Sequence, residues 1–181
     1  AEKPELERYR RYLTNMRRRK AHTLSAAEEK LLASAGEVTG AASDIFGNLN
    51  NADMTFPDIE DGEGNKRPLT QGTFISYMMS EDRVLRKNAY EALYHSFRNF
   101  KNTSAALLNA QGKQLKFKAD ARKYESTLQA ALNRTNVPES VYLNLIEAVH
   151  QNIDKMHRYV RLRKKLLGVD ELHFYDVYIK K

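Results

Sequence analysis

The chain has 181 residues, 41% of them hydrophobic and 29% charged, with no cysteine and a formal net charge of +7. That length suits one soluble core; the lack of any run of eighteen apolar residues excludes a spanning helix, and the lack of cysteine excludes disulfides, thiolate catalysis and cysteine-based metal sites. The charge is uneven: residues 1–20 carry eight Lys/Arg against three Glu, whereas 25–63 carry nine Asp/Glu against one Lys, so the two stretches would largely neutralise each other on contact.

No apolar h-region opens the chain, so the cytoplasm is the expected compartment. A basic balance invites a nucleic-acid reading, but aromatic side chains are not interleaved with glycine as in a single-strand reader, and no double-strand motif stands out. Weak binding through Arg17, Arg18, Arg19 and Lys20 at low salt is all that such a surface predicts.

In chain order, Leu6, Tyr9, Leu13 and Met16 recur at helical spacing and predict an amphipathic helix over 5–20 with a basic back. Ser25 and Glu28 form a capping box that opens a second helix, with Gly36 as its expected left-handed terminator. A third helix is expected from about 40 to 48, carrying Ala42, Ile45 and Phe46. Residues 54–59 alternate apolar and polar side chains. With the acidic, glycine-rich stretch 61–65 and a second short run to Leu69, they predict a β-hairpin whose Pro57 nitrogen faces away from its partner strand. Thr70 caps a short helix carrying Phe74, Ile75, Tyr77 and Met78, and Ser80, Glu81 and Asp82 open a long one over 84–118. Its apolar face runs through Leu85, Ala89, Leu93, Phe97, Phe100, Leu107 and Leu108. The polar triplet Asn102, Thr103 and Ser104 is its one weak point, where low helix propensity allows either a kink or a split into two helices. Ser126 caps a further helix that stops at Asn136.

The last third carries the clearest pattern. Tyr142, Ile146, Val149, Ile153, Met156 and Val160 alternate by fours and threes, Pro138 and Glu139 open the helix, and Arg161, Arg163, Lys164, Lys165 and Gly168 close it. About thirty residues is far above the usual ~11–12, so such a helix must run along a larger body or carry a partner on one side.

Four groups of residues carry candidate chemistry. His150, Asp154 and His157 fall at i, i+4 and i+7 and could offer a metal two nitrogens and an oxygen, but no fourth ligand accompanies them. Asp58, Glu60, Asp61 and Glu63 depart from the calcium-loop spacing and read as a solvated hairpin tip. His22 and His95 have no acid placed to orient them. His173, Tyr175, Asp176 and Tyr178 follow the last helix, where a His paired with Asp176 or Asp170 could move a proton, although no nucleophile or substrate-cradling loop stands nearby. A docking strand that anchors the end of the long helix is the expected role of that segment.

Taken together and in order, several strings resemble the oligoendopeptidase F group of the thimet-oligopeptidase-like zinc endopeptidases. They are His22-Thr23-Leu24-Ser25, Gly36-Glu37-Val38, Ile45-Phe46, Leu49-Asn50-Asn51-Ala52-Asp53-Met54, Ser80-Glu81-Asp82-Arg83, Arg86-Lys87, Val137-Pro138-Glu139-Ser140-Val141-Tyr142 and Leu172-His173-Phe174-Tyr175-Asp176. The resemblance implies a mostly helical enzyme that cuts short peptides in a deep channel with one zinc ion, held by two His of an H-E-x-x-H helix and a later Glu, with the motif Glu activating water. No H-E-x-x-H occurs in this sequence. The resemblance therefore places no catalytic, cofactor-binding or metal-binding residue here, and zinc is expected in the parent enzyme but not in this chain. Gln71 stands where many relatives have His. The ending Ile179-Lys180-Lys181, in place of a proline-containing strand, and the lack of an initiator methionine lead us to expect a piece of a longer chain.

The expected fold is mostly α: several packed helices including two long ones, over 84–118 and 138–168, with a small hairpin inserted at about 53–70 in a single helical region, 1–181. The expected function is that of a non-catalytic channel wall, with peptide substrates and a C-terminal catalytic half as the parent's partners. The strip Leu145, Val149, Met156, Val160 and Phe174 should lie exposed for that half or for a second copy. The alternative is a self-sufficient helical module that binds an acidic protein or nucleic acid.

Overall fold

Several helices in this chain begin where a side chain accepts the first orphan backbone amides. The computed structural model describes residues 4–179. After a 3₁₀ turn at Pro4–Tyr9, α1 spans Arg10–Lys20, α2 Ala26–Ser34 and α3 Gly36–Asn48, and a π turn follows at Leu49–Asp53. Strands β1 (Ile59–Glu60) and β2 (Lys66–Arg67) come next, then α4 (Gln71–Met78), α5 (Arg83–Asn99), α6 (Lys101–Ala121), α7 (Thr127–Thr135), α8 (Glu139–Leu167) and a 3₁₀ turn at Phe174–Asp176. The fold is mostly α with one antiparallel hairpin.

The capping signals operate as read. Ser25 Oγ accepts from Glu28 N while the Glu28 carboxylate accepts from Ser25 N at 2.9 Å. Thr70 and Thr73 exchange the same pair of bonds at 3.0 and 2.9 Å. Asp82 Oδ1 accepts from Val84 N and Leu85 N, and Ser126 Oγ from Gln129 N. At the other ends, Asn136 closes α7 with φ +58° and Gly168 follows α8 with φ +63°, the left-handed conformation that glycine adopts without strain and asparagine tolerates.

Three boundaries differ from expectation. Gly36 is not a left-handed terminator. Ala35 stays right-handed, Thr39 N donates to Ala35 O at 2.9 Å, and α3 therefore starts at Gly36 rather than near 40. A glycine permits a left-handed turn without compelling one. The expected helix over 84–118 is two helices, and they part at Phe100 rather than at the polar triplet. Ser104 N donates to Phe100 O at 2.9 Å, so Asn102, Thr103 and Ser104 sit inside the first turn of α6. The strands are shorter than the alternating run: Ile59 faces Arg67 and Glu60 faces Lys66, and no further pair forms. Pro57 and Pro68 flank these pairs, and neither has an N–H to extend the ladder.

Two compact units divide the chain: Ala1–Ile45 with Leu107–Val149, and Phe46–Ala106 with His150–Lys181. The second has an apolar core. Ile59 and Leu69 from the hairpin pack with Leu85, Ala89 and Leu93 of α5, all buried, and Phe56, Phe74, Tyr77 and Phe97 close around them. Spacings of four keep the three α5 residues on one face. The hairpin tip is also tied to α5, because Gly62 N donates to Asp82 Oδ2.

The first unit has little apolar core; Ala119 is its one buried hydrophobic residue among those described. Polar contacts join its elements instead. Arg122 holds Glu29 through two bonds of 2.8 Å and reaches His22 O, Arg18 donates to Asn133 Oδ1 at 2.9 Å, and the His22 and Tyr124 rings stack at 3.6 Å.

A Cβ on Gly62 would lie 3.0 Å from Asp82 Oδ1 and 3.1 Å from Oδ2, and that carboxylate is held in place by the two amides it caps. Gly62→Ala should therefore displace the cap and cost about 1–2 kcal/mol, the usual loss for a helix N-cap. Because Asp82→Ala removes the same contact, a double-mutant cycle in urea unfolding should give a sum well short of additive. Additive costs would mean that the glycine and the cap act separately.

Candidate functional site

Asp176 is the focus of a dense polar cluster in the second unit. Its side chain is wholly buried and takes four donors: Arg83 Nε at 3.1 Å and Arg86 Nη2 at 2.8 Å on Oδ1, Arg83 Nη2 at 3.0 Å and the His173 backbone N–H at 3.1 Å on Oδ2. Arg86, itself 3% exposed, also donates to the carbonyls of Tyr175, Ser80 and Glu81. Arg163 of α8 donates to Asp176 O and to Ile179 O. The cluster thereby clamps the 173–179 segment onto the first turn of α5 and the last turns of α8. The segment is a 3₁₀ turn, not the docking strand expected from its alternation.

Burial alone would raise the Asp176 pKa, but the hydrogen bonds from Arg83 and Arg86 outweigh it and bring it down to about 2. The Arg83 guanidinium is correspondingly raised by its bond to Asp176 and lies 5.4 Å from the centre of the Tyr175 ring. A carboxylate with four donors and no exposure is not a general base. The His173 ring does not bond to Asp176; it stacks on Tyr175 at 4.9 Å, with Nε2 3.6 Å from Glu171. Tyr178 is exposed. The proton-moving pair is therefore not assembled, and the group anchors the chain.

The other candidates are dispersed. His157 Nδ1 lies 3.9 Å from Asp154 Oδ1 on the exposed surface of α8, and among the described residues no three His, Asp or Glu side chains stand where they could share a metal ion. At the hairpin tip Asp61 turns inward and accepts from Asn65 N, Arg67 Nε and Glu63 N. Those bonds, led by Asn65 N, lower its pKa, while Asp58, Glu60 and Glu63 face solvent. His95 is exposed on α5, and His22 is absorbed in the stack with Tyr124.

Sequence reasoning named Asp176 but not its partners. A signal was present: Arg83 and Arg86 occupy the first turn of α5, where the helix dipole disfavours cations, so two arginines there imply a committed carboxylate.

The apolar strip is exposed. No residue of α8 is buried, and Leu145 is 64%, Val149 57%, Met156 59%, Val160 40% and Phe174 75% exposed. No helix among the described residues is long and apolar enough to cross a membrane.

Comparison with known proteins agrees with a peptidase architecture built on these helices. Residues 76–181 match the family model described as Peptidase family M3, and residues 1–56 that described as Oligopeptidase F. The chain belongs to peptidase family M3. Within it the likeness is to oligoendopeptidase F: the chain is 44% identical over 177 residues to Oligopeptidase PepF of Bacillus subtilis (strain 168), covering 98% of this chain and 26% of that protein. It is likewise 44% identical over 177 residues to Group B oligopeptidase PepB of Streptococcus agalactiae, covering 98% and 30%. The crystal structure of oligoendopeptidase-F from Enterococcus faecium superposes with a TM-score of 0.91 at 43% identity, over 98% of this chain and 34% of that one. The chain thus spans about a quarter to a third of the length of these relatives.

Because the Asp176 pKa is lowered on folding, its stabilising effect is complete above the unfolded value of about 4 and is lost as pH falls toward about 2. Acid unfolding followed by circular dichroism should show a stability loss of about 2 kcal/mol in that window. Asp176→Asn should remove most of this dependence and lower stability at neutral pH by about 3 kcal/mol, since buried Arg86 loses its counter-charge while Arg83 remains partly solvated. An unchanged acid limb in the variant would reject the clamp.

Proposed function

We propose that residues 1–181 form one helical, non-catalytic wall of a cytoplasmic zinc oligoendopeptidase that hydrolyses short peptides in a deep channel. The match of residues 76–181 to Peptidase family M3 carries this reading. The oligopeptidase names of relatives covering 98% of the chain support the substrate class. The reading is supported by two observations: no H-E-x-x-H occurs in the sequence, and no three His, Asp or Glu side chains gather where they could hold a metal ion among the described residues. On this reading the catalytic and metal-binding groups belong to a further part of the protein. A self-sufficient binding module is not favoured, because in-order likeness to oligopeptidases extends over nearly the whole chain.

The wall role accounts for α8. Each large side chain left in water forgoes about 1.5–3 kcal/mol of burial, so the exposed strip represents a free energy comparable to the ~5–15 kcal/mol net stability of a domain. The catalytic half is the cover we assign to it. Separated from that half, the chain should self-associate through the strip or bind the half added in trans.

Val149→Lys with Met156→Lys should abolish both associations in analytical ultracentrifugation while leaving the helical circular dichroism nearly unchanged. A wild-type chain that stays monomeric at high concentration and ignores the catalytic half would refute the wall role. The peptidase reading itself is tested on the whole protein. A quenched fluorescent peptide of about eight residues should be cleaved, and activity removed by a chelator should return with zinc.

A further inference from the structure

A cavity of about 600 Å³ opens in the first unit between the end of α1, the later turns of α6, and α7. Four cationic side chains line it, Arg19, Lys118, Arg122 and Arg134, and no carboxylate does. Arg122 is already neutralised by Glu29 at 2.8 Å. Among the described residues no ion pair holds Arg19, Lys118 or Arg134, although nearby Lys116 has found Asp120 at 2.7 Å. Like charges gathered in a concave site repel one another, and the potential they sum to there is one that attracts an anion. Helix α7 forms one side of the cavity along its length, from Thr127 through Ala130 and Ala131 to Arg134.

The wall is also built rather than loose. His22 stacks on Tyr124 at 3.6 Å with planes 13° apart, and its Nδ1 lies 2.9 Å from Arg122 O. A carbonyl only accepts, so Nδ1 carries the proton and Nε2 is left for a further partner. Tyr124 OH is in turn fixed on Asn133 Oδ1 at 3.1 Å. Arg19, Lys118 and Arg134 are exposed to solvent and, among the described residues, unpaired on one concave wall, and a ligand with several negative charges can meet all three where a single carboxylate cannot. Guanidinium forks match phosphate oxygens in pairs.

We propose that this cavity binds a polyphosphate group, either as an inorganic chain or as the phosphate tail of a nucleotide. The proposal does not rest on the peptidase reading, since the cavity's charge and shape are the same whether or not the chain forms a channel wall.

The test is calorimetric titration of the whole protein with sodium triphosphate at constant ionic strength. One site per chain is expected, weakening as salt rises. Lys118→Ala and Arg134→Ala should each weaken it about ten-fold, or about 1.4 kcal/mol, within the range for charge-assisted bonds. Arg158→Ala and Lys165→Ala, at basic positions of α8, should leave it unchanged. Perturbation of the His22 ring resonances on titration gives a readout that needs no substitution. Adenosine triphosphate separates the two sources: tighter binding than triphosphate indicates a nucleotide, and equal binding indicates the phosphate chain alone. No saturable heat, or equal weakening by the α8 variants, would overturn the proposal.

Discussion

Taking a carboxylate wholly out of water is tolerated only when donors replace the lost hydration, and Asp176 shows how much of a fold that requirement can organise. Four donors converge on it, two of them guanidinium groups from the first turn of α5. Those arginines would by themselves oppose the dipole of α5, so the carboxylate offsets a local cost as well as its own desolvation. The same cluster recruits Arg163 from the end of α8 through the Asp176 carbonyl. The start of one helix, the end of another and the terminal turn are thereby mutually fixed.

The two units are held by different physics. Phe46–Ala106 with His150–Lys181 has an apolar core of hairpin and α5 residues, to which the Asp82 cap and the Asp176 clamp add direction. Ala1–Ile45 with Leu107–Val149 relies on guanidinium–carboxylate and amide contacts, a ring stack, and few buried apolar groups. Such polar contacts contribute modestly where solvent reaches them. A unit of this kind is the more natural host for an open, charged cavity, because there is less close-packed interior for the cavity to interrupt.

Helix α8 belongs to neither arrangement by its apolar face. Its start and end are set by its own sequence, yet its large side chains remain in water, and only the turns that carry Arg163 contribute to a clamp. A helix so well specified and so poorly covered suits a surface meant for another part of the protein. The relatives in peptidase family M3 are three to four times longer than this chain, and the cover proposed for this face is drawn from that further length.

What could be read in the sequence was local. Ser25 with Glu28, Asp82, Ser126 and the Pro138 to Gly168 interval each specify a helix end through bonds or dihedral preferences spanning a few residues, and all appear where expected. The period of α5 likewise indicated Leu85, Ala89 and Leu93 as its core face. Gly36 misled because its freedom is a permission, and Phe100 rather than the polar triplet parts two helices because intrinsic propensities are weak beside packing. The burial of Asp176 against Arg86, 90 residues away, and the seating of His22 on Arg122, 100 residues away, were decided by the tertiary structure. Pairing across such separations depends on which faces the whole chain brings together. A carboxylate and an arginine look the same in sequence whether they end up solvated or locked to one another.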